Sequence, residues 1–183
     1  MKNIAINVRG TNGAGKSYIV HTLKEKFGST PLEVDGKIVA YRLHCEPRLY
    51  IVGRYETPTG GCDTIKTVGE AFNRVGALLK FGDVLFEGIM ITSLTTRVIE
   101  FGRKHNLVLF VLDTPRDKCI ARVESRRRAR GNNEPLNPKN LDSKFRAALS
   151  SRKTFEAEGM DVRTLHYKKA VKTILRFRGY HAK

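Results

Sequence analysis

Gly10-Thr11-Asn12-Gly13-Ala14-Gly15-Lys16-Ser17 follows the apolar run Ile4-Ala5-Ile6-Asn7-Val8 and opens into a segment with helical spacing. The pattern G-x-x-x-x-G-K-[ST] between a strand and a helix is that of a phosphate-binding P-loop. The chemistry needs these residue types. Glycines let the backbone curl until successive N–H groups point inward as a nest for phosphate oxygens. The helix behind adds the positive end of its dipole. Lys16 is spaced to reach the β- and γ-phosphates, and the Ser17 hydroxyl to ligate Mg²⁺. The eight residues are therefore candidate nucleotide-binding residues, with ATP and Mg²⁺ as the expected ligands. The competing reading is a Gly-rich turn that fits the pattern by chance.

Outward from this loop, residues 2–8 read as a buried strand, continuous in apolar character rather than alternating. Residues 17–27 read as the following helix, with Ile19, Leu23 and Phe27 on one face and Gly28 as its stop. Residues 29–36 are turn-rich. Two β-like runs, 37–43 and 49–55, flank the short connection His44-Cys45-Glu46-Pro47-Arg48, which predicts a hairpin inserted into or extending the sheet. The stretch Thr57-Pro58-Thr59-Gly60-Gly61-Cys62-Asp63-Thr64 reads as a loop, followed by a helix with Ile65, Val68, Phe72, Val75 and Leu79 at steps of three and four. A second buried strand is expected over 83–90, a helix over 92–105 and a third strand over 107–113. Thr114-Pro115 starts another helix. A helix marked by Leu141, Phe145, Leu149 and Phe155, a strand over 162–167 and a basic helix over 168–177 complete the chain. Strand and helix in alternation predict an α/β fold, a three-layer P-loop NTPase architecture with a parallel sheet and helices on both faces. With 183 residues and no repeat or low-complexity linker, residues 1–183 are expected to form one domain.

Formal net charge is +16, unevenly placed: residues 1–113 hold 15 Lys and Arg against 11 Asp and Glu, residues 114–183 hold 19 against 7. Phosphoryl transfer needs two or three cations, so this surplus points to a polyanionic partner such as nucleic acid, or else to a basic surface that only keeps the chain soluble. No apolar run approaches the roughly 18 residues of a membrane span, so no membrane partner is expected. Because residues 1–4 lead straight into the strand and the loop, no cleavable leader is expected either. Cys45, Cys62 and Cys119 are odd in number and unpaired in spacing, which predicts free thiols in a reducing cytoplasm.

Four further features carry candidate chemistry. Glu87, in Val84-Leu85-Phe86-Glu87-Gly88, is expected at the carboxyl end of a buried parallel strand, where a carboxylate can serve the metal or take a proton; it could equally be a surface Glu past a strand's end. Asp113 is placed similarly but reads as a helix cap. Arg122, Arg126, Arg127, Arg128 and Arg130 crowd nine residues and resemble a lid, expected over about 122–137. Arg122 and Arg126, one turn apart, could face ATP; Arg127, Arg128 and Arg130 would then meet substrate phosphates or solvent. In the Gly60-Gly61-Cys62-Asp63-Thr64 loop the glycines permit close backbone approach to a ligand. Asp63 could cap the next helix or take the proton from an acceptor hydroxyl, with Glu46 a weaker rival. Tyr41, Tyr50 and Tyr55 could stack on a base but at alternating positions read as packing. Lys168, Lys169 and Lys172 on the last helix are candidate nucleic-acid contacts.

Gly10–Ser17, Leu85-Phe86-Glu87-Gly88 and Asp113-Thr114-Pro115 with Cys119, Arg122, Arg126 and Arg127 resemble the small P-loop kinases, a superfamily holding nucleoside monophosphate kinases and polynucleotide kinases. More closely, Gly53-Arg54-Tyr55-Glu56-Thr57 with Gly60-Gly61-Cys62-Asp63-Thr64-Ile65 resembles the bacteriophage 5-hydroxymethyl-deoxyuridine DNA kinases. The resemblance implies an ATP- and Mg²⁺-dependent kinase that phosphorylates the hydroxymethyl group of a thymine analogue in DNA as a step towards hypermodification, working in the host cytoplasm if phage-encoded. Two motifs are missing: the D-x-[TSN] element of polynucleotide kinases and the D-G-x-P-R strand end of adenylate kinases. A nucleotide kinase acting on free monophosphates, and a nucleic-acid-binding NTPase without an acceptor, are the alternatives.

Overall fold

The computed structural model describes residues 2–57, 60–134 and 136–183. Its centre is a seven-stranded sheet in the order β2-β3-β5-β6-β1-β7-β8. Here β1 is Ala5–Arg9, β2 Ser29–Val34, β3 Lys37–Leu43, β5 Leu49–Val52, β6 Asp83–Glu87, β7 Leu107–Leu112 and β8 Asp161–Leu165. The run β5-β6-β1-β7-β8 is parallel, whereas β3 lies antiparallel on β5 and β2 antiparallel on β3. A short β4, Cys45–Glu46, leaves the sheet to pair with β9, His181–Ala182. The helices are α1 Lys16–Phe27, α2 Val68–Leu78, α3 Ile89–Thr92, α4 Thr95–Lys104, α5 Arg116–Arg128, α6 Pro138–Ala157 and α7 Tyr167–Arg178. None is long and apolar enough, among the described residues, to cross a membrane.

The parallel strands are apolar on both faces because each face has its own helical layer. Ile4, Ile6, Val8, Leu85, Val108, Phe110 and Leu112 pack with Ile19 and Leu23 of α1, Cys119 and Val123 of α5, and Ala170 and Ile174 of α7. Alternate residues Ala5, Val84, Phe86, Leu107 and Leu109 pack with Ala71 and Val75 of α2, Ile91 of α3, Val98 and Phe101 of α4, and Phe155 of α6. This is the three-layer α/β arrangement that the alternation predicts, and the hairpin proves to be an extension of the sheet.

Four local expectations are corrected. Residues 29–36 are not merely turn-rich: β2 occupies most of them, and the reversal is the pair Asp35-Gly36, both with positive φ (51° and 67°), as a two-residue hairpin turn demands. Pro31 is tolerated because β2 is an edge strand. The helix expected over 92–105 is α4 with a later start, Thr95, and a separate short α3 begins at Ile89, so the strand expected to run to 90 stops at Glu87. The cap of α2 is Thr67, whose hydroxyl accepts the Glu70 N–H at 3.1 Å, the S/T-x-x-E arrangement of a capping box. Asp113 does not cap α5: Pro115 stands at its N-cap without a side-chain bond, and Thr114 turns its hydroxyl back to the Ala14 carbonyl at 2.6 Å.

Candidate active site

The P-loop curls between β1 and α1 at the carboxyl edge of the parallel strands, with β6 on one side and β7 on the other. Gly13 (φ 79°) and Gly15 (φ 104°) hold left-handed backbone, and both are also pressed by neighbours. A Cβ on Gly13 would stand 2.4 Å from the Cys119 carbonyl oxygen, and one on Gly15 would stand 2.8 Å from Cβ of Tyr167. The loop is therefore wedged between α5 and the start of α7, which explains the glycines beyond their phosphate role. Gly10 and Thr11 sit beneath the mouth: their carbonyls accept the Lys16 ammonium at 2.9 and 3.2 Å. Burial lowers the Lys16 pKa, opposed by the charges of Glu87 and Asp63.

One cavity of about 670 Å³ joins most of the expected site: Asn12, Gly13, Ala14, Gly15, Lys16 and Ser17 with Gly60, Asp63, Thr64, Glu87 and Arg122. It is also lined by Tyr18, Thr57, Arg126, Arg130, Tyr167 and Lys168. Gly61 lies just behind the lining, its backbone against Glu87. Pro58 and Thr59, just before the Gly60–Thr64 loop, and Pro135, within the expected lid segment 122–137, lie outside the described residues.

Glu87, 2 % exposed, is the last residue of β6 and pairs in register with Val8 of β1. Its Oε1 accepts the hydroxyls of Ser17 and Tyr55, each at 3.1 Å. Burial raises its pKa; Lys16 and the two hydroxyl donors pull the other way. Asp63 does act as a cap, but of α3 rather than of the helix that follows it. Its carboxylate accepts the N–H groups of Ile89 (2.8 Å) and Met90 (3.0 Å). Sequence alone could not show this, since the capped amides lie 26 and 27 residues away.

Arg122 and Arg126 on α5, and Arg130 in the turn just after it, recur every four residues and all reach the cavity, so Arg130 joins the other two instead of pointing elsewhere. Arg122 donates to the Gly13 carbonyl at 3.0 Å and lies over the Tyr167 ring at 4.2 Å. Arg127 turns to Asn132 at 3.2 Å, and neither it nor Arg128 lines the cavity. Lys168 lines the cavity, while Lys169 and Lys172 stand exposed on α7. Glu46, the weaker base candidate, is remote from this cavity and pairs with Lys183 at 3.0 Å. Tyr41 and Tyr50 are buried in the core.

Two residues escaped the sequence reading. Tyr55 packs as expected, but its hydroxyl reaches Glu87. Arg9, fully buried, extends from β1 to donate to the carbonyls of Ile91 (3.3 Å) and Thr92 (2.6 Å) at the end of α3, and lies 4.6 Å from the Phe155 ring centre. Burial pushes its pKa down to about 9, still above neutrality, so it remains a cation. A charged residue closing an apolar strand was the available signal.

Residues 3–158 match the 5-hmdU DNA kinase family. The chain belongs to that family. It is 34% identical over 169 residues to the 5-hmdU DNA kinase of Pseudomonas phage PaMx11, covering 88% of this chain and 89% of the relative. It is 29% identical over 182 residues to the 5-hmdU DNA kinase of Pseudomonas phage M6, covering 92% and 94%. Deoxyadenosine kinase from M. mycoides, solved with bound dATP, superposes with a TM-score of 0.42 at 14% identity over 94% of this chain and 98% of the other. Family membership makes this chain a P-loop kinase, with the sheet order and loop geometry to match.

Proposed function

We propose that this kinase transfers the γ-phosphoryl of ATP to the hydroxymethyl group of 5-hydroxymethyluracil in DNA. The observation that carries the reading is the single cavity in which the P-loop and the Gly60–Thr64 loop face one another across Glu87. Family membership supplies the acceptor. The basic surplus of residues 114–183 supports a polyanion over a free nucleotide. A duplex cannot enter a cavity of about 670 Å³, so the target base leaves the stack to reach it.

Each residue has a role in this reading. The nest of Gly13–Ser17 amides holds the phosphates, and Lys16 leaves the Gly10 and Thr11 carbonyls to meet the β- and γ-oxygens. Arg122, Arg126 and Arg130 offset charge on the transferred group and exclude water. Ser17 and Glu87 form an all-oxygen donor pair that suits Mg²⁺, since that ion takes one or two protein ligands together with phosphate oxygens. Bound there, the metal neutralises charge on the phosphates. Asp63 orients the acceptor hydroxyl and takes its proton. Both of its oxygens accept amide hydrogens, which fix the carboxylate in the direction of the cavity.

Incubation with γ-labelled ATP and either DNA containing 5-hydroxymethyluracil, unmodified DNA, or free hydroxymethylated nucleotides tests the reading. Label in the modified DNA alone is expected. Label confined to nucleotides, or phosphate release with no labelled acceptor, overturns it.

A further inference from the structure

Glu87 is held by more than its strand. Both hydroxyls that reach it, from Ser17 and Tyr55, end on the same oxygen, Oε1, at 3.1 Å each. The terminal torsion of a glutamate is broad and two-fold, so a free carboxylate would swing. Two donors converging on one oxygen fill its lone pairs and set the direction of the other.

Tyr55 is built to stay where it is. It is 3% exposed, its backbone N–H donates to the Tyr41 hydroxyl at 3.4 Å, and its ring stands edge-on to His21 with centroids 5.9 Å apart. The Tyr41 hydroxyl in turn donates to Glu56, which extends the chain of contacts towards the acceptor loop. Gly61 closes the arrangement: it has φ 80°, and a Cβ there would stand 2.8 Å from Glu87 Oε1 and 2.9 Å from the Tyr55 hydroxyl. No side chain fits between the acceptor loop and this pair. Tyr55 precedes the loop by five residues, while Ser17 opens α1, so the shared oxygen joins the acceptor side of the cavity to the phosphate side.

We propose that Tyr55 is a positioning residue, whose phenol holds the Glu87 carboxylate against Ser17 and thereby sets the metal-facing group from the acceptor side. The inference rests on the reading of Glu87 and Ser17 as the Mg²⁺ pair, and the test separates the two.

Binding of the imido analogue of ATP to the full chain is measured by calorimetry with Mg²⁺ and with EDTA, for the wild type, Tyr55→Phe, Glu87→Gln and the double variant. Melting temperature is followed alongside. Tyr55→Phe is expected to cut the Mg²⁺-dependent gain in affinity by about tenfold, the lower range for outer-shell groups, and to leave metal-free affinity unchanged. The double variant should match Glu87→Gln, since the phenol acts only through that carboxylate. Tyr55→Met, which also lacks the hydroxyl but fills space flexibly, supplies the same reading if Tyr55→Phe folds poorly. A full Mg²⁺ gain in a folded Tyr55 variant, or effects that add to those of Glu87→Gln, overturns the proposal. A full Mg²⁺ gain in Glu87→Gln instead removes the metal pair itself.

Discussion

Asp63 shows how one side chain can satisfy two demands. The carboxylate accepts two amide hydrogens at the start of α3, and the same residue lines the cavity opposite the P-loop. Asparagine keeps the shape but offers one oxygen and an NH₂ group, so one amide of α3 would face a donor. Asp63→Asn is therefore expected to cost about 1 kcal/mol of stability, the size of a lost cap. If Asp63 also takes the acceptor proton, turnover falls by about 100-fold or more. Urea unfolding and steady-state rates on modified DNA measure the two separately; lost stability with full turnover would leave Asp63 as a cap alone.

Among the elements, α3 is the smallest and the most constrained. Four residues cannot stabilise a helix by themselves, and this one is held by opposite charges at its ends: Asp63 at the amides of Ile89 and Met90, Arg9 at the carbonyls of Ile91 and Thr92. Each sign complements the helix dipole. Arg9 is the last residue of β1 before the P-loop, and α3 starts one residue beyond Gly88, so the clamp fixes Glu87 relative to Gly10–Ser17. Arg9→Ala would open a cavity under Phe155 and take the guanidinium from the Thr92 carbonyl, while Ile91 keeps the Leu94 N–H at 3.1 Å, a loss of about 3 kcal/mol in urea unfolding. Unchanged stability would show that water replaces the guanidinium. Helix α5 is simpler. Its Arg122 and Arg126 share one face because the helix repeats nearly every four residues, and that spacing is visible in the sequence; Arg130 reaches the same cavity from the turn beyond.

For the whole molecule, sheet order decides which segments flank the P-loop. The P-loop strand β1 has β6 and β5 on one side and β7 and β8 on the other. With strands about 4.8 Å apart, β5 and β8 lie on the order of 10 Å to either side of it, and the segments that follow them lean back over the P-loop. Gly60–Thr64 thus sits on one flank, and Tyr167 and Lys168 on the other, packed beside Gly15. Lys168 lines the cavity on the side of Gly15 and Tyr167, and Lys168→Ala is expected to raise KM for ATP more than KM for DNA; the reverse would return it to the DNA side. Lys169 and Lys172 are exposed on α7. Their joint replacement by alanine should flatten the slope of log affinity against log salt by about 0.7 to 0.9 per lost phosphate contact. An unchanged slope would take α7 out of the DNA footprint.

By itself the sequence determined the triphosphate cradle, the parallel three-layer fold, the acidic strand end at Glu87 and the pairing of Arg122 with Arg126, though not Arg130 beside them. Each is written in residues close together in the chain: an eight-residue loop, apolar runs buried on both faces, a repeat of four. The edge strand β2 was obscured by Pro31, whose cost depends on having no neighbour beyond it. Only the tertiary structure decided that Asp63 caps α3 rather than the helix after it, that Arg9 closes the other end of α3, and that Tyr55 and Ser17 share one oxygen of Glu87. Those contacts span 26 to 83 residues. They exist because sheet order brings β5, β6 and β1 side by side, and strand pairing at that range leaves no periodic trace in the sequence.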